Sequence, residues 1–414
     1  MTDNVPRNAV DLILSSIYSN EGKDRLRHSF TFGQPGSNLW NHSGGIDIFY
    51  DEAKLTQAVI YIRQNGPAFL RDMSVKDVWS LVTQFVQENF WYLIHDVFLK
   101  QFDNSYLFQV SERSKGEFSA ALTSSLIFVP KVALTLFPLV PIRANDNFDS
   151  DIFFLIAPSS LDGSRIPRGI PEREIKSEQF PPLTYWDGKA ERPASWLGVR
   201  APTIQISIKI KSTIVGALAL TASQGDRYLF SGRHIFGGYC ILDKTATVTF
   251  GESHVPPLMH DILIDRSDHE WLQILASKLD SQLEGDRKQM RALEYLCRAW
   301  PLADAQRFPI LFMALDAVFG DVGRATQAVI DAISRQLPMQ FDAKQLKLLL
   351  GLRASVVHGG APDVHESGKY QKYYSEYGKS PISDLETIAA DSLRSVIFGD
   401  TMKEHCRSSD SSAE

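Results

Sequence analysis

Near Pro257 the hydrophobic pattern of this chain changes period. From Tyr106 to Phe250 apolar residues recur at every second position. The plainest case is Ile204, Ile206, Ile208 and Ile210 alternating with Gln205, Ser207 and Lys209, a pattern that predicts a half-buried strand. Tyr228 to Phe236 and Tyr239 to Phe250, either side of Gly237-Gly238, predict further strands. Beyond about Pro257 the alternation gives way to spacings of three and four, the period of helices packed on one face. The expected fold class is α+β. A mixed α/β, β-rich N-terminal region spans 1–257, with room for two subdomains. An all-α helical bundle follows over 258–405, then a disordered polar tail over 406–414.

Within the first region, Val10 to Ile17 predicts a short helix, Ile46 to Tyr50 a strand, and Val75 to about Lys100 one or two helices. The most apolar stretch, Phe118 to Ile142, is interrupted by Lys131 and by Pro130, Pro138 and Pro141. A bilayer span needs about 20 mostly uninterrupted apolar residues, so buried strands are expected there and no membrane association. Residues 158–202 are rich in Pro, Gly and charge without a sustained period, which predicts a long surface loop suited to sensing or partner binding. In the C-terminal part, Met290, Leu293, Cys297 and Trp300 form a helical stripe. Pro309 is expected in the first turn of a helix stopped by Gly320, and a further helix ends at Pro338. Ser383 with Glu386 predicts a capping box for the last helix, which runs to about Gly399.

The 414 residues carry 43 Lys+Arg against 49 Asp+Glu, a net charge of −6 that excludes a polycation coating nucleic acid nonspecifically. Cys240, Cys297 and Cys406 form no C-x-x-C pair, which argues against a disulfide framework or a thiolate zinc cage and fits a reducing cytoplasm. The first residues show no basic segment followed by an apolar run, so no secretory signal is expected.

The best-defined element runs from Asp342 to His358. Asp342 is a good N-cap, Gln345 occupies the third helical position, Phe341 can staple onto Leu346, and Gly359-Gly360 with Pro362 ends the helix. Its apolar stripe is Leu346, Leu349, Leu350 and Val357, and Arg353 falls on that stripe. A guanidinium there is costly unless an anion or a cluster of acceptors meets it. His358 lies in the final turn, where the helix dipole favours its protonated form. Five residues separate the two, about 140° around the helix and about 7.5 Å along it. The bland alternative is a snorkelling arginine and a histidine that caps the helix.

The string Leu350-Gly351-Leu352-Arg353-Ala354-Ser355-Val356-Val357-His358-Gly359 resembles the R-x4–6-H motif of HEPN domains, and especially the ApeA-like abortive-infection subgroup. The preceding Phe308-Pro309-Ile310-Leu311-Phe312-Met313-Ala314-Leu315-Asp316-Ala317-Val318-Phe319 is similar to that subgroup's earlier helix, in which an acidic residue interrupts an apolar face. The resemblance covers about Met290 to Gly399. It implies an all-α HEPN domain that forms a homodimer and cleaves RNA without a metal or other cofactor, with Arg353 and His358 as the catalytic pair. It also implies a regulated, toxin-like effector in antiviral defence, its N-terminal region a sensor for an unknown trigger. Ala354 stands where many active members carry a polar residue, and it favours the alternative of a non-catalytic HEPN adaptor that binds nucleotide or RNA.

The chemistry suits these residues independently. RNA carries its own nucleophile in the 2′-hydroxyl, so an enzyme needs a group that moves a proton near neutral pH and a forked cation for the charge building on phosphorus. Lys369, Tyr370, Lys372, Tyr373, Tyr374, Tyr377 and Lys379 could stack bases beside phosphates, although the tyrosine spacing is equally that of a packed helix face. His260, Asp261, Asp265 and His269 suggest a metal site only weakly, since nothing fixes a full ligand set, and no metal is expected. His365-Glu366, after the Gly-Gly stop, is expected to be solvated.

Overall fold

The computed structural model describes residues 4–33, 43–162, 164–166, 191–243, 246–321, 323–337, 340–360 and 363–405. The fold mixes sheets in the N-terminal region with helices in the C-terminal region, the α+β class expected. It divides into two compact units, Met1–Val132 and Ala133–Glu414. The boundary expected near Pro257 therefore falls inside the second unit.

The first unit contains α1 (Val5–Ser16), β1 (Ile17–Tyr18), β2 (Arg25–Gly33), β3 (Ser43–Asp51), α2 (Glu52–Asn65), α3 (Val75–Asn89), α4 (Ile94–Val97) and α5 (Glu112–Ser124). Its antiparallel sheet has the order β1-β3-β2. Ser74 and Asp77 cap α3 reciprocally, and its apolar face (Val78, Val82, Phe85, Val86) is buried. Phe85 meets Phe118 of α5 at 4.8 Å between ring centroids. Phe118 is thus helical, and of the stretch expected as buried strands only its later part is extended.

The second unit begins with β4 (Ala133–Leu139), β5 (Ile142–Ala144), β6 (Phe148–Asp149), β7 (Phe153–Ile156) and β8 (Ser195–Ala201), continues through α6 (Ile204–Thr221), and returns to β9 (Gly237–Leu242), β10 (Ala246–Gly251) and β11 (Ile262–Ile264). Six strands form an antiparallel sheet, β10-β9-β4-β8-β7-β6, while β11 pairs in parallel with β5. Helices α7 (His269–Asp280), α8 (Glu284–Ala299), α9 (Asp304–Phe319), α10 (Ala325–Gln336), α11 (Ala343–Val357), α12 (Gly368–Tyr377) and α13 (Pro381–Phe398) follow. Most of the expected surface loop, residues 167–190, lies outside the described residues, as does the tail 406–414. The far end of that stretch is β8, with Trp196 and Leu197 buried, and so belongs to the sheet.

Helix α6 occupies the segment whose alternating isoleucines predict a strand. Two observations explain the difference. Thr203 accepts a hydrogen bond from the Ile206 amide and starts the helix. From Thr213 to Thr221 every residue is buried, so the helix is apolar all round and shows no 3.6-residue stripe. Among the described helices α6 alone has the length and apolarity to cross a bilayer, yet 61% of it is buried inside the protein. Its Ser207 hydroxyl meets Thr135 of β4 at 3.1 Å. At Gly216 the carbonyl oxygen of Leu293 in α8 lies 2.0 Å from where a Cβ would stand. One helix therefore packs on both sheet and bundle, and the sheet and the helices after Pro257 lie in one compact unit. Tyr228 to Phe236 is not a strand either; only Phe230 pairs, in an isolated bridge to Leu258.

A helix leaves its last four carbonyls without intrahelical partners. In α6 all four are met. The Thr221 hydroxyl donates to Leu218 O (2.8 Å), Arg227 to Ala219 O (2.9 Å), Arg394 to Leu220 O (3.1 Å), and the His405 amide to Thr221 O (2.8 Å); Arg227 also donates to Ala222 O just beyond the helix (2.7 Å). Glu404 accepts from both arginines, at 2.9 and 2.7 Å, and so neutralises part of the charge buried there. Without Arg227, Glu404 keeps Arg394, but the Ala219 and Ala222 carbonyls lose their donor, and a buried carbonyl left unpaired costs about 1–3 kcal/mol. Arg227→Met should therefore destabilise the second unit by about 2–6 kcal/mol in denaturant titration. Gly216→Ala should cost about 1–3 kcal/mol by overpacking. Gly285→Ala in α8, whose Cβ would meet nothing within 4 Å, should be neutral or mildly stabilising.

Candidate functional site

Helix α11 has the boundaries its sequence predicts. Asp342 Oδ1 accepts from the Gln345 amide at 2.7 Å. At the other end Gly360 N donates to Ser355 O (2.7 Å) and Gly359 N to Val356 O (3.2 Å), with Gly359 at φ +75°. That pair of bonds is a Schellman ending, and it demands a left-handed residue at position 359. It leaves His358 as the C-cap, exposed at the negative end of the helix dipole. Among the described residues no side chain bonds to its ring.

Inward, α11 buries Gln345, Leu346, Leu349, Leu350 and Leu352. Val357, expected on this stripe, is instead 57% exposed, and Leu352 fills the inner face. Arg353 sits at the edge of the packed face with 26% of its side chain exposed. The anion it requires comes from within the chain: Nη2 is ion-paired with Oδ2 of Asp316 on α9. The guanidinium also lies 5.6 Å from the Phe312 ring centroid, one turn earlier on α9. The second carboxylate oxygen, Asp316 Oδ1, is buried without a hydrogen-bond partner. Met313, one turn before Asp316, is 41% exposed.

Asp316 is the contributor that sequence reasoning did not assign. Its signal was the acidic residue interrupting the apolar face Leu311-Phe312-Leu315; what the sequence lacks is the register that brings this face against Arg353. The start of α9 also differs from expectation. Pro309 lies inside the helix, which begins at Asp304. The earlier turn is held by Arg307, almost fully buried, which pairs with Glu386 and lies 3.8 Å over the Tyr228 ring. Glu386 is thereby used in an ion pair and not in a capping box; α13 starts at Pro381, capped by Ser380, and Ser383 lies within it.

The tyrosine and lysine stretch is helix α12, and its residues divide. Tyr373 is buried, donates to Asp384 Oδ2 at 2.6 Å and accepts from Gln345 Nε2 at 2.8 Å. Burial, then the Asp384 carboxylate, push its phenol pKa up. Tyr377 is half-buried with its ring 4.9 Å from Tyr373. Tyr370 meets the ring of His365 edge-on at 5.0 Å. Lys369 Nζ donates to the Gly351 carbonyl in mid-α11 at 2.7 Å. Tyr374 is 55% exposed, and Lys372 and Lys379 are exposed as well. Tyr373 is therefore a packing residue, whereas Lys372, Tyr374 and Lys379 are free to meet a ligand.

The residues around His260 do not converge. Asp261 is bound by Arg143 and Arg233, Asp265 caps a short turn, and the His269 ring sits edge-on to Phe148. No grouping of three or more His, Cys, Asp or Glu that could hold a metal occurs among the described residues.

Tyr373→Phe should lower stability by about 1–3 kcal/mol, since Asp384 and Gln345 lose a buried partner. Denaturant titration measures that loss, and Tyr374→Ala at the neighbouring exposed position should stay within about 0.5 kcal/mol of wild type. In comparisons with known proteins, the chain matches no family model, no curated protein and no solved structure.

Proposed function

We propose that this chain is a HEPN-type, metal-independent endoribonuclease, a regulated cytoplasmic effector of antiviral defence acting as a homodimer through its helical part. The residues N-terminal to that part serve as sensor or regulator. The observation that carries the reading is the setting of Arg353. Its guanidinium is half-buried, oriented by Asp316, and mounted on a helix whose end presents the exposed imidazole of His358.

In this reading Arg353 holds the phosphate through its planar fork as charge builds on the non-bridging oxygens. Asp316 is a positioning residue that fixes the guanidinium before RNA arrives. His358 moves the proton between the 2′-hydroxyl, which attacks phosphorus, and the 5′-oxygen that leaves. A second copy would supply the other proton-transfer group, separating base from acid. Attack by the 2′-oxygen forms the new P–O bond as the P–O5′ bond breaks, leaving a 2′,3′-cyclic phosphate and a free 5′-hydroxyl.

A specific observation also favours the second reading, a non-catalytic adaptor. Arg353 already has its counter-ion in Asp316, and Ala354 puts no polar group beside it. The two readings diverge under substitution. For the enzyme, His358→Ala lowers cleavage of unstructured RNA by about two to four orders of magnitude, the size of a general acid–base contribution. Arg353→Lys also fails, because a point ammonium cannot replace the fork, and Asp316→Asn falls between these and wild type. All three retain the wild-type circular dichroism spectrum. For the adaptor, purified wild type leaves RNA intact, and His358→Ala costs only about 0.3–1 kcal/mol of dipole interaction.

A further inference from the structure

A cleft of about 370 Å3 opens between the end of α9 and helix α10. Its walls are Val318 and Phe319 from α9 and, from α10 and the turn before it, Arg324, Gln327, Asp331 and Arg335, with Asp321 at the rim. Phe319 follows Asp316 by three residues, about 4.5 Å along the same helix. The cleft therefore begins one turn beyond the Arg353–Asp316 pair.

Its chemistry is uneven in a way that selects a ligand. Two acids line the cleft as well, Asp331, whose Oδ1 accepts from Gln327 Nε2 at 2.7 Å, and the exposed Asp321 at the turn, so a ligand must meet the guanidiniums at the ends of α10. Arg324 and Arg335 are both exposed, and neither is ion-paired among the described residues. Arg335 spends only its Nε, on the Asp331 carbonyl at 3.2 Å. Eleven residues separate the two arginines, about 16.5 Å along α10, so they bracket the cleft from its two ends. Two guanidiniums and a half-buried aromatic ring lining one cleft fit a strand with phosphates toward its ends and a base stacked within it.

We infer that the α9–α10 cleft is a binding subsite for single-stranded RNA, holding the nucleotides next to the phosphate presented to Arg353. This rests on the ribonuclease reading. Phe319 offers the stacking face, and Arg324 and Arg335 hold phosphates at the two ends of the bound segment rather than adjacent ones.

The test uses the full-length protein and an unstructured, fluorescein-labelled RNA 10-mer, with anisotropy read across a salt series and melting temperature recorded for each variant. The double variant Arg324→Ala/Arg335→Ala should bind at least tenfold more weakly. Its log–log salt slope should be shallower by about 1.4, since each phosphate contact on a single strand contributes about 0.7. Lys23→Ala/Lys76→Ala removes the same charge from exposed positions elsewhere and should bind as wild type. A free nucleoside monophosphate should compete only at far higher concentration than unlabelled 10-mer. Equal competition by the monophosphate would make this a single-phosphate site and overturn the strand assignment. If the double variant matches the lysine control while Arg353→Lys and His358→Ala still abolish cleavage, the cleft assignment is wrong and the catalytic reading stands. A wild type that neither binds nor cleaves the RNA overturns both.

Discussion

Four carbonyl groups at the end of α6 govern how the second unit is built. A helix whose last nine residues are all buried cannot turn its last carbonyls toward water, and each one left unpaired would cost on the order of 1–3 kcal/mol. The chain meets one with the helix's own Thr221 hydroxyl and the other three with Arg227 from the loop after α6, Arg394 from the last helix and the His405 amide beyond it. Glu404 then offsets the two positive charges. Residues far apart in sequence must therefore come together before α6 is satisfied. The sheet on one side of α6 and α8 on the other depend on that closure, and α9 and α11 are held in turn by the bundle they join.

The candidate site follows the same logic at smaller scale. Arg353 is placed where an apolar residue would pack, and Asp316 makes that position tolerable. The exposure of both side chains limits the stabilisation their ion pair contributes, so stability alone gives little account of the pair. Orientation gives a better one. A guanidinium held by one edge keeps the rest of its donors directed and available, which is what recognition of a phosphate requires. His358 is fixed differently, by a backbone ending that forces the chain to turn immediately after it.

What could be read from the sequence follows the range of the interactions involved. The ends of α11 were legible because Asp342, Gly359 and Gly360 act on their own helix within a few residues. The same holds for α3 and its Ser74 cap. Helix α6 was not legible, since its β-branched isoleucines favour a strand locally, while the Thr203 cap and the burial of residues 213–221 hold it as a helix. The division at Val132 was not legible for the same reason: periodicity reports an element's type, not which core it joins. Ser383 and Glu386 match a capping box in spacing, but the buried Arg307 draws Glu386 away, a contact 79 residues distant. Arg353 and His358 were visible as candidates. Asp316 was visible as an oddity on an apolar face, and its pairing with Arg353 depends on the packing of α9 against α11, which no local pattern encodes.

The central claim is that Arg353 and His358 form a centre that cleaves RNA through its own 2′-hydroxyl. The most direct measurement is to incubate purified wild-type protein with a defined unstructured RNA in EDTA and determine the chemistry of the product ends by mass spectrometry. The account predicts sustained cleavage with 2′,3′-cyclic phosphate, or its 3′-phosphate hydrolysis product, paired with 5′-hydroxyl ends. Cleavage that stops in EDTA and returns with Mn2+ or Zn2+, leaving 5′-phosphate ends, would contradict it.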